Sequence, residues 1–230
     1  MLFRSLQCLE TLESGDLAAW WRLNREMTLE SDSTHYGNPL ELDLTKLPGW
    51  QEAEEATQKR IIESAKNYIQ NQDNVAYEWI GTNKYNRPAL AGCRAFQLLL
   101  KESPEFLDNL SSEIWKKWTP VIIATPIINR HEDSYLEIVK CAYVNAPQES
   151  INTLITLIDK ENQEHGHIVV ISRFDKCWDQ RLKLALLEKA KDPTLKPKYF
   201  EQLLKELLKQ EKLLKQGLTE VRDFAKSLIS

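Results

Sequence analysis

The chain has 230 residues, of which 42% are hydrophobic and 28% charged, and it contains only 7 glycines. Its net charge of −4 and its isoelectric point near 5.7 argue against a nucleic-acid binder whose affinity rests on broad basic patches. Runs of alternating β-branched residues are almost absent, so the composition disfavours a sheet and favours an all-α fold.

The first 86 residues are predicted to form an N-terminal helical segment. Residues 1–13 and 16–29 make a helical hairpin divided at Ser14-Gly15, and a further helix covers residues 52–70. Trp20 and Trp21 are neighbours and point about 100° apart on a helix. We therefore expect one of them to pack in the core and the other to face a second surface or solvent.

A long irregular stretch, residues 30–49, interrupts this segment and is rich in turn-forming residues. Loops of this length in compact proteins are usually functional or disordered. In a functional version, His35, Tyr36 and Asn38 form an exposed recognition cluster. In the alternative, which we favour, the loop packs its own apolar side chains over the ends of nearby helices: Tyr36, Leu40, Leu42 and Leu44.

Residues 87–230 are predicted to form HEAT-like helical repeats in one continuous solenoid. Apolar segments end at Ser103-Pro104, Ala146-Pro147 and Asp192-Pro193, and these prolines lie 43 and 46 residues apart. That spacing is within the roughly 40–47 residue period of HEAT and armadillo units. Because proline fits the first turn of a helix and not its interior, each junction should separate the two helices of a pair. The predicted fold is an all-α solenoid of stacked helix pairs.

Smaller signals refine this prediction. Asn86 is predicted to cap a helix that has Pro88 in its first turn, and Thr119-Pro120 should start a new helix. The apolar segment 168–171 is predicted to be helical like its neighbours, although a strand stays open. Residues 218–228 are amphipathic and resemble the first helix of a further unit.

The polar faces of the second helices are the predicted binding surface. One unit offers Gln148, Asn152, Thr156 and Asp159. The next unit offers Lys198, Gln202, Lys205 and Lys209. A simple solvated face is the alternative for each helix taken singly.

Catalytic motifs are missing from the sequence: it has neither a Gly-x-x-x-x-Gly-Lys-Ser/Thr loop nor a Gly-x-Ser-x-Gly elbow. His165 and His167, near Glu161 and Glu164, could surround a metal ion, but no His-Glu-x-x-His helix or neighbouring cysteine supports them. We therefore expect no metal and no cofactor. The alternative function is a helical-repeat enzyme that acts on nucleic acid or a phosphorylated substrate through these histidines.

The charged residues around Trp178 allow two interpretations. They could be catalytic carboxylates, but an ion-pair network between repeats is favoured. The residues are Asp175, Lys176, Asp179 and Arg181.

Four cysteines, at positions 8, 93, 141 and 177, lack the spacing of a zinc site or a disulfide scaffold. They are predicted to be free thiols in a reducing cytoplasm. The start of the chain has no apolar segment typical of a signal peptide, and no window reaches the length of a membrane span. We therefore expect a cytoplasmic protein without membrane contact.

Beyond these patterns, five segments carry a resemblance that covers most of the chain: residues 19–29 (AWWRLNREMTL), 32–37 (DSTHYG), 47–50 (LPGW), 157–162 (LIDKEN) and 177–179 (CWD). The chain resembles the C-terminal helical-repeat regions of large bacterial, especially cyanobacterial, NACHT-type signalling NTPases. The resemblance implies a sensor or scaffold module in a signalling or defence protein, with a protein partner or an upstream NTPase domain. Since the phosphate-binding loop is missing, NTP hydrolysis is not implied for this chain.

Overall fold

The computed structural model describes residues 2–30, 35–38, 40–72, 77–82, 84, 86–125, 133–164 and 168–214. Within these ranges the chain forms α-helices, two 3₁₀ helices at Leu44–Lys46 and Val170–Phe174, and no strand. The α-helices are α1 (Leu2–Glu13), α2 (Ala19–Glu26), α3 (Pro48–Gln51), α4 (Glu55–Asn71), α5 (Arg87–Glu102), α6 (Pro104–Asp108), α7 (Ser112–Ala124), α8 (Asp133–Asn145), α9 (Pro147–Glu164), α10 (Gln180–Ala190) and α11 (Pro197–Leu214). The prediction of an all-α fold is confirmed for this part of the chain.

Local residues set where several helices begin. The side chains of Asn86, Ser111 and Asp179 each accept a hydrogen bond from the backbone N–H three residues later, at 3.0, 3.4 and 2.9 Å. These bonds satisfy donors that the first turns of α5, α7 and α10 would otherwise leave unpaired. The cap predicted at Asn86 is confirmed.

The three proline junctions differ from one another. Pro104 begins the five-residue α6 and Pro147 begins the 18-residue α9, but α11 begins at Pro197 and not at Pro193. The Asp192 side chain accepts hydrogen bonds from the Thr194 N–H at 2.8 Å and from its hydroxyl at 2.7 Å. This turn holds the chain out of helical conformation until Pro197, so the third predicted junction is wrong by four residues.

Pro120 does not start a helix, because α7 continues through it from Ser112 to Ala124. A proline inside a helix costs about 3 kcal/mol through a lost hydrogen bond and a steric clash. Here the flanking side chains of Trp118, Thr119 and Val121 are fully buried, and their packing holds both halves of α7 in one helix. The prediction of a fresh helix start at Thr119-Pro120 is therefore wrong.

Consecutive helices pack against their neighbours in the chain. Helix α1 contacts α2 and α4, both α2 and α4 contact α5, and α5 contacts α7 and α8. Further along, α9 contacts α7, α8 and α10, and α10 contacts α11. One cluster of buried apolar side chains runs from Leu9 to Leu207, so the helices before and after residue 86 share a core.

Aromatic side chains fill the centre of the first half of this core. Trp20, Tyr68, Trp118, Phe96 and Trp115, from α2, α4, α7 and α5, form successive ring pairs with centroids 5.2 to 6.1 Å apart. Rings at this separation, tilted or edge-on, contribute beyond the area they bury. Gly92 on α5 provides the space for this packing, because a Cβ there would lie 2.0 Å from the Trp118 ring.

The polar tips of three of these rings bond to the backbone of other helices. The Trp20 indole N–H donates to the Ala91 carbonyl at 2.8 Å, and the Trp118 indole N–H donates to the Ile69 carbonyl at 2.9 Å. The Tyr68 hydroxyl donates to the Pro88 carbonyl at 3.0 Å. Each ring thus links two helices by a directed contact as well as by apolar packing.

Other predictions have mixed outcomes. Trp20 is fully buried while Trp21 is only partly buried, as expected for adjacent helical positions. All four cysteines are free thiols. Residues 168–171 enter a 3₁₀ helix at Val170–Phe174 rather than an α-helix. The predicted histidine pair at 165 and 167 and the amphipathic segment 218–228 lie outside the described residues.

Candidate functional site: the cleft between α2 and α5

Two stripes of side chains, one on α2 and one on α5, line a cleft of about 420 Å³. The stripe on α2 consists of Trp21, Asn24 and Arg25, and Thr28 extends it in the turn that follows. The stripe on α5 consists of Arg87, Leu90, Ala91 and Arg94. Both have the spacing i, i+3, i+4, i+7 that places side chains on one face of a helix.

The loop after α2 forms a further wall of this cleft. Tyr36 pairs with Leu29 in an isolated antiparallel bridge, and the Gly37 N–H donates to the Thr28 carbonyl at 2.9 Å. A Cβ on Gly37 would lie 2.9 Å from that carbonyl oxygen, so the close approach requires glycine. The loop therefore holds Tyr36 beside the helical stripes.

Two arginines of the cleft lie over aromatic rings. The guanidinium carbon of Arg25 is 4.3 Å from the centre of the Tyr36 ring, and that of Arg87 is 5.2 Å from the centre of the Trp21 ring. Both distances are within the range of cation–π attraction. The stacking restrains two otherwise exposed guanidinium groups at the mouth of the cleft.

Arg94 supplies a third guanidinium from inside the protein. Its side chain is buried, and its Nε donates to the Glu41 carbonyl at 2.8 Å. Burial lowers the pKa of Arg94 to about 10, against the opposing effect of Glu41. The guanidinium stays positively charged at neutral pH. The α5 wall of the cleft therefore carries a positive charge at both ends, from Arg87 and Arg94.

Asn24 has an unsatisfied acceptor in this wall. Its Nδ2 donates to the Trp20 carbonyl at 2.8 Å, and its buried Oδ1 has no hydrogen-bond partner among the described residues. Reversing the amide would place two oxygens against each other, so the orientation is fixed. A buried polar atom left unpaired costs about 1–3 kcal/mol, which a bound molecule with a donor could recover.

No protein-family model, curated protein or solved structure matches this chain. The candidate site therefore rests on its own geometry, and the NACHT resemblance of the sequence is carried forward as a proposal.

The predicted surface on α9 is exposed but partly paired within itself. Gln148, Asn152 and Thr156 all lie at the surface. The Gln148 Nε2 donates to the Asn152 Oδ1 at 2.9 Å, and the Thr156 hydroxyl donates to the Asn152 carbonyl at 2.9 Å. Asp159, one turn further on, forms an ion pair with Lys189 of α10, so this residue joins two helices.

The predicted surface on α11 divides into two kinds of residue. Lys198 is exposed, and Lys205 and Lys209 form surface ion pairs with acids on their own helix at 2.6 and 3.4 Å. Gln202 is partly buried instead. Its Nε2 donates to the Ile168 carbonyl at 2.5 Å and its Oε1 accepts from the Ile168 N–H at 2.8 Å. Gln202 therefore ties α11 to the segment after α9.

The predicted loop cluster is divided as well. Tyr36 lines the cleft and its hydroxyl donates to the Glu26 Oε1 at 3.0 Å. His35 is exposed and is not one of the residues that line the cleft, and the Asn38 side chain accepts from the Leu40 N–H at 2.9 Å. In the same loop Leu42 and Leu44 are buried, so this segment packs over helices as expected while Tyr36 faces the cleft.

The charged group around Trp178 links helices. Lys176 pairs with Glu137 of α8 at 2.8 Å and with Asp133 at 3.2 Å, and the Tyr143 hydroxyl donates to Asp179 at 2.5 Å. These contacts form an ion-pair and hydrogen-bond network around Trp178, as favoured, while its position between repeats stays a prediction. Within the ranges that the structure describes, no group of three His, Cys, Asp or Glu side chains could hold a metal ion. In the same ranges no helix is long and apolar enough to cross a membrane.

The cleft was not predicted from the sequence, although three arginines mark it there. Arg94 stands inside the apolar run Leu90–Leu99, where a charge is costly to bury without a purpose. Arg87 lies two turns before it on the same face. Arg25 follows Trp21 by four positions, which is the spacing of side chains that touch on a helix.

Proposed function

We propose that the chain is a non-catalytic α-solenoid binding module, in which stacked helix pairs carry a small-molecule cleft and a surface for a protein partner. The cleft between α2 and α5 is the observation that supports it. Its volume of about 420 Å³ lies in the usual range of ligand sites, roughly 300–1,000 Å³. Its walls offer guanidinium donors and aromatic rings, and the described lining residues include no carboxylate, cysteine or histidine.

A more specific proposal rests on the resemblance of the sequence. It makes the chain the ligand-sensing part of a NACHT-type signalling or defence protein in the cytoplasm, with an upstream NTPase domain as its partner. The exposed residues of α9 and α11, namely Gln148, Asn152, Thr156, Lys198, Lys205 and Lys209, are the proposed surface for that partner. Contacts between helices that follow one another, α4 with α5, α7 with α8, α8 with α9 and α10 with α11, support a stack.

A ligand screen by thermal unfolding tests the proposal. A compound that binds only the folded protein raises its unfolding temperature, by an amount that grows with concentration over Kd. We expect at least one metabolite class to stabilise the chain and to be recovered chemically unchanged. Conversion of the ligand, turnover in nuclease or phosphatase assays, or stoichiometric metal in the purified protein would establish an enzyme instead. A complete screen without a stabilising compound would reject the small-molecule cleft.

A further inference from the structure

The charged side chains among the described residues that line the α2–α5 cleft are all positive. Arg25, Arg87 and Arg94 contribute three positive groups, and the described lining residues contribute no negative one. Glu26, whose Oε1 accepts a hydrogen bond from the Tyr36 hydroxyl, is not among the residues that line the cleft. In a chain whose net charge is −4, such a local excess of arginine favours an anion.

Stacking makes these arginines suitable for an anion with fixed geometry. A guanidinium over a ring keeps its N–H donors directed outward around its edge, where they match the oxygens of a carboxylate or phosphate. The rings under Arg25 and Arg87 restrain the two groups before a ligand arrives. Less conformational freedom is then lost on binding.

The rest of the cleft is suited to a flat apolar group. Leu90 and Ala91 supply an apolar surface on α5, and the edge of this surface is formed by Trp21, whose ring lies under Arg87. Asn24 adds a buried acceptor that lacks a partner among the described residues. A ring that carries an N–H donor can satisfy both features, whereas a ring that carries only acceptors cannot.

We propose that the α2–α5 cleft binds a small molecule in which a phosphate or carboxylate is joined, directly or through a sugar, to a planar, amino-bearing ring, with the anion on Arg25 and Arg87. This inference rests on the proposed function, because it names the ligand class of the same cleft. Arg94 adds positive charge from within α5. Tyr36 and the Gly37 turn close one side of the bound molecule.

Isothermal titration with four probes tests this assignment. The probes are AMP, adenosine, inorganic phosphate and para-aminobenzoate. We expect AMP, para-aminobenzoate or both to bind with a Kd below about 1 mM. Adenosine and inorganic phosphate should bind about tenfold or more weakly, since each lacks one half of the ligand. Binding should also weaken at high salt, because the arginines at the mouth are exposed.

Two cleft variants and one matched control locate the binding. Arg25→Gln and Arg87→Gln should each weaken binding about tenfold with little change in the unfolding temperature. Arg181→Gln is the control, because Arg181 is also exposed and stacked, 5.4 Å from the centre of the Tyr143 ring, but lies on α10 outside the cleft. An equal loss in Arg181→Gln, or equal binding of adenosine and AMP, overturns the assignment.

The outcomes separate this inference from the function on which it rests. Binding of AMP without para-aminobenzoate assigns a phosphate ligand, and the reverse assigns a carboxylate. If neither binds while a neutral compound stabilises the protein, the ligand class is wrong and the binding module stands. If AMP binds but is hydrolysed, the ligand class stands and the non-catalytic function is wrong.

Discussion

Asp43 shows how one buried charge is stabilised in this fold. The residue is 1% exposed, and its Oδ2 accepts a hydrogen bond from the Lys101 ammonium at 2.5 Å. Its Oδ1 accepts from the Thr45 N–H at 3.1 Å and from the Thr45 hydroxyl at 2.6 Å. Burial alone raises the pKa of Asp43, but the hydrogen bonds from Lys101 and Thr45 outweigh it and hold the pKa below its ordinary value.

Because this pKa is lower in the folded state, the carboxylate stabilises the fold above the pKa of the unfolded chain, near 3.8. That stability is lost as the pH falls below this value and through the folded pKa. We expect Asp43→Asn to lower the free energy of unfolding by about 2 kcal/mol at pH 7, since bonds to a charged group are replaced. Urea titrations at pH 7 and pH 3 should show the difference from wild type shrinking at the lower pH.

Glu55→Gln is the control for this pH effect. Glu55 pairs with Lys59 at 2.6 Å on the exposed face of α4, and such pairs contribute about 0.5 kcal/mol or less. A destabilisation by Asp43→Asn that stays constant from pH 7 to pH 3 would contradict the ionised role of Asp43.

At the scale of helices, the contact between α5 and α7 depends on a missing side chain. Gly92 faces the Trp118 indole so closely that a Cβ would lie 2.0 Å from its Cζ3 and 2.4 Å from its Cη2. Trp118 cannot retreat without cost, because it is fully buried and its N–H is bonded to the Ile69 carbonyl. The two helices therefore approach at a distance that only glycine allows.

Two effects of opposite sign determine how Gly92→Ala changes the free energy of unfolding. Alanine is favoured over glycine in a helix by about 1 kcal/mol, while overpacking a tight core costs about 1–3 kcal/mol. At a separation of 2.0 Å we expect the clash to dominate and the variant to be less stable than wild type by urea unfolding. In a Trp118→Phe background the same substitution should cost less, because the smaller ring removes the clashing atoms. A stabilising Gly92→Ala would show that the helices separate freely.

The helices also show which sequence signals are sufficient. The cap at Asn86 and the helix start at Pro147 could be predicted because both depend on residues within one turn. The start of α11 could not, since the side chain of Asp192 forms a turn that keeps Pro193 out of the helix. The helical period predicts that Gln202 lies at the surface, but the side chain forms hydrogen bonds with Ile168, which lies 34 positions away in the sequence. The cleft could not be predicted for the same reason. Its two walls lie on α2 and α5, and only the packing of these helices brings the walls together.

For the whole molecule, a continuous core predicts cooperative unfolding. The buried cluster extends from Leu9 to Leu207 without an interruption between early and late helices. Six of the seven tryptophans precede residue 119, so tryptophan fluorescence reports mainly on the first half, whereas far-ultraviolet circular dichroism reports on all helices. We expect both signals to follow one urea transition, as in two-state unfolding.

The variant Leu186→Ala tests whether a change in the late helices also destabilises the early ones. Leu186 is fully buried in α10, far along the chain from most tryptophans, and its truncation should cost about 2–5 kcal/mol. In a cooperative molecule the fluorescence midpoint must fall together with the dichroism midpoint. A fluorescence midpoint that does not move would show that the late helices unfold independently.

The indole and phenol tips that donate to carbonyls of other helices have a consequence for motion. Trp20, Tyr68 and Trp118 fix the axial offset of α2, α4, α5 and α7, because sliding one helix by a turn of about 5.4 Å would break such bonds and displace the rings with them. Shear between these helices is thereby blocked. A displacement imposed at one end of these four helices would therefore rotate them together as one rigid body.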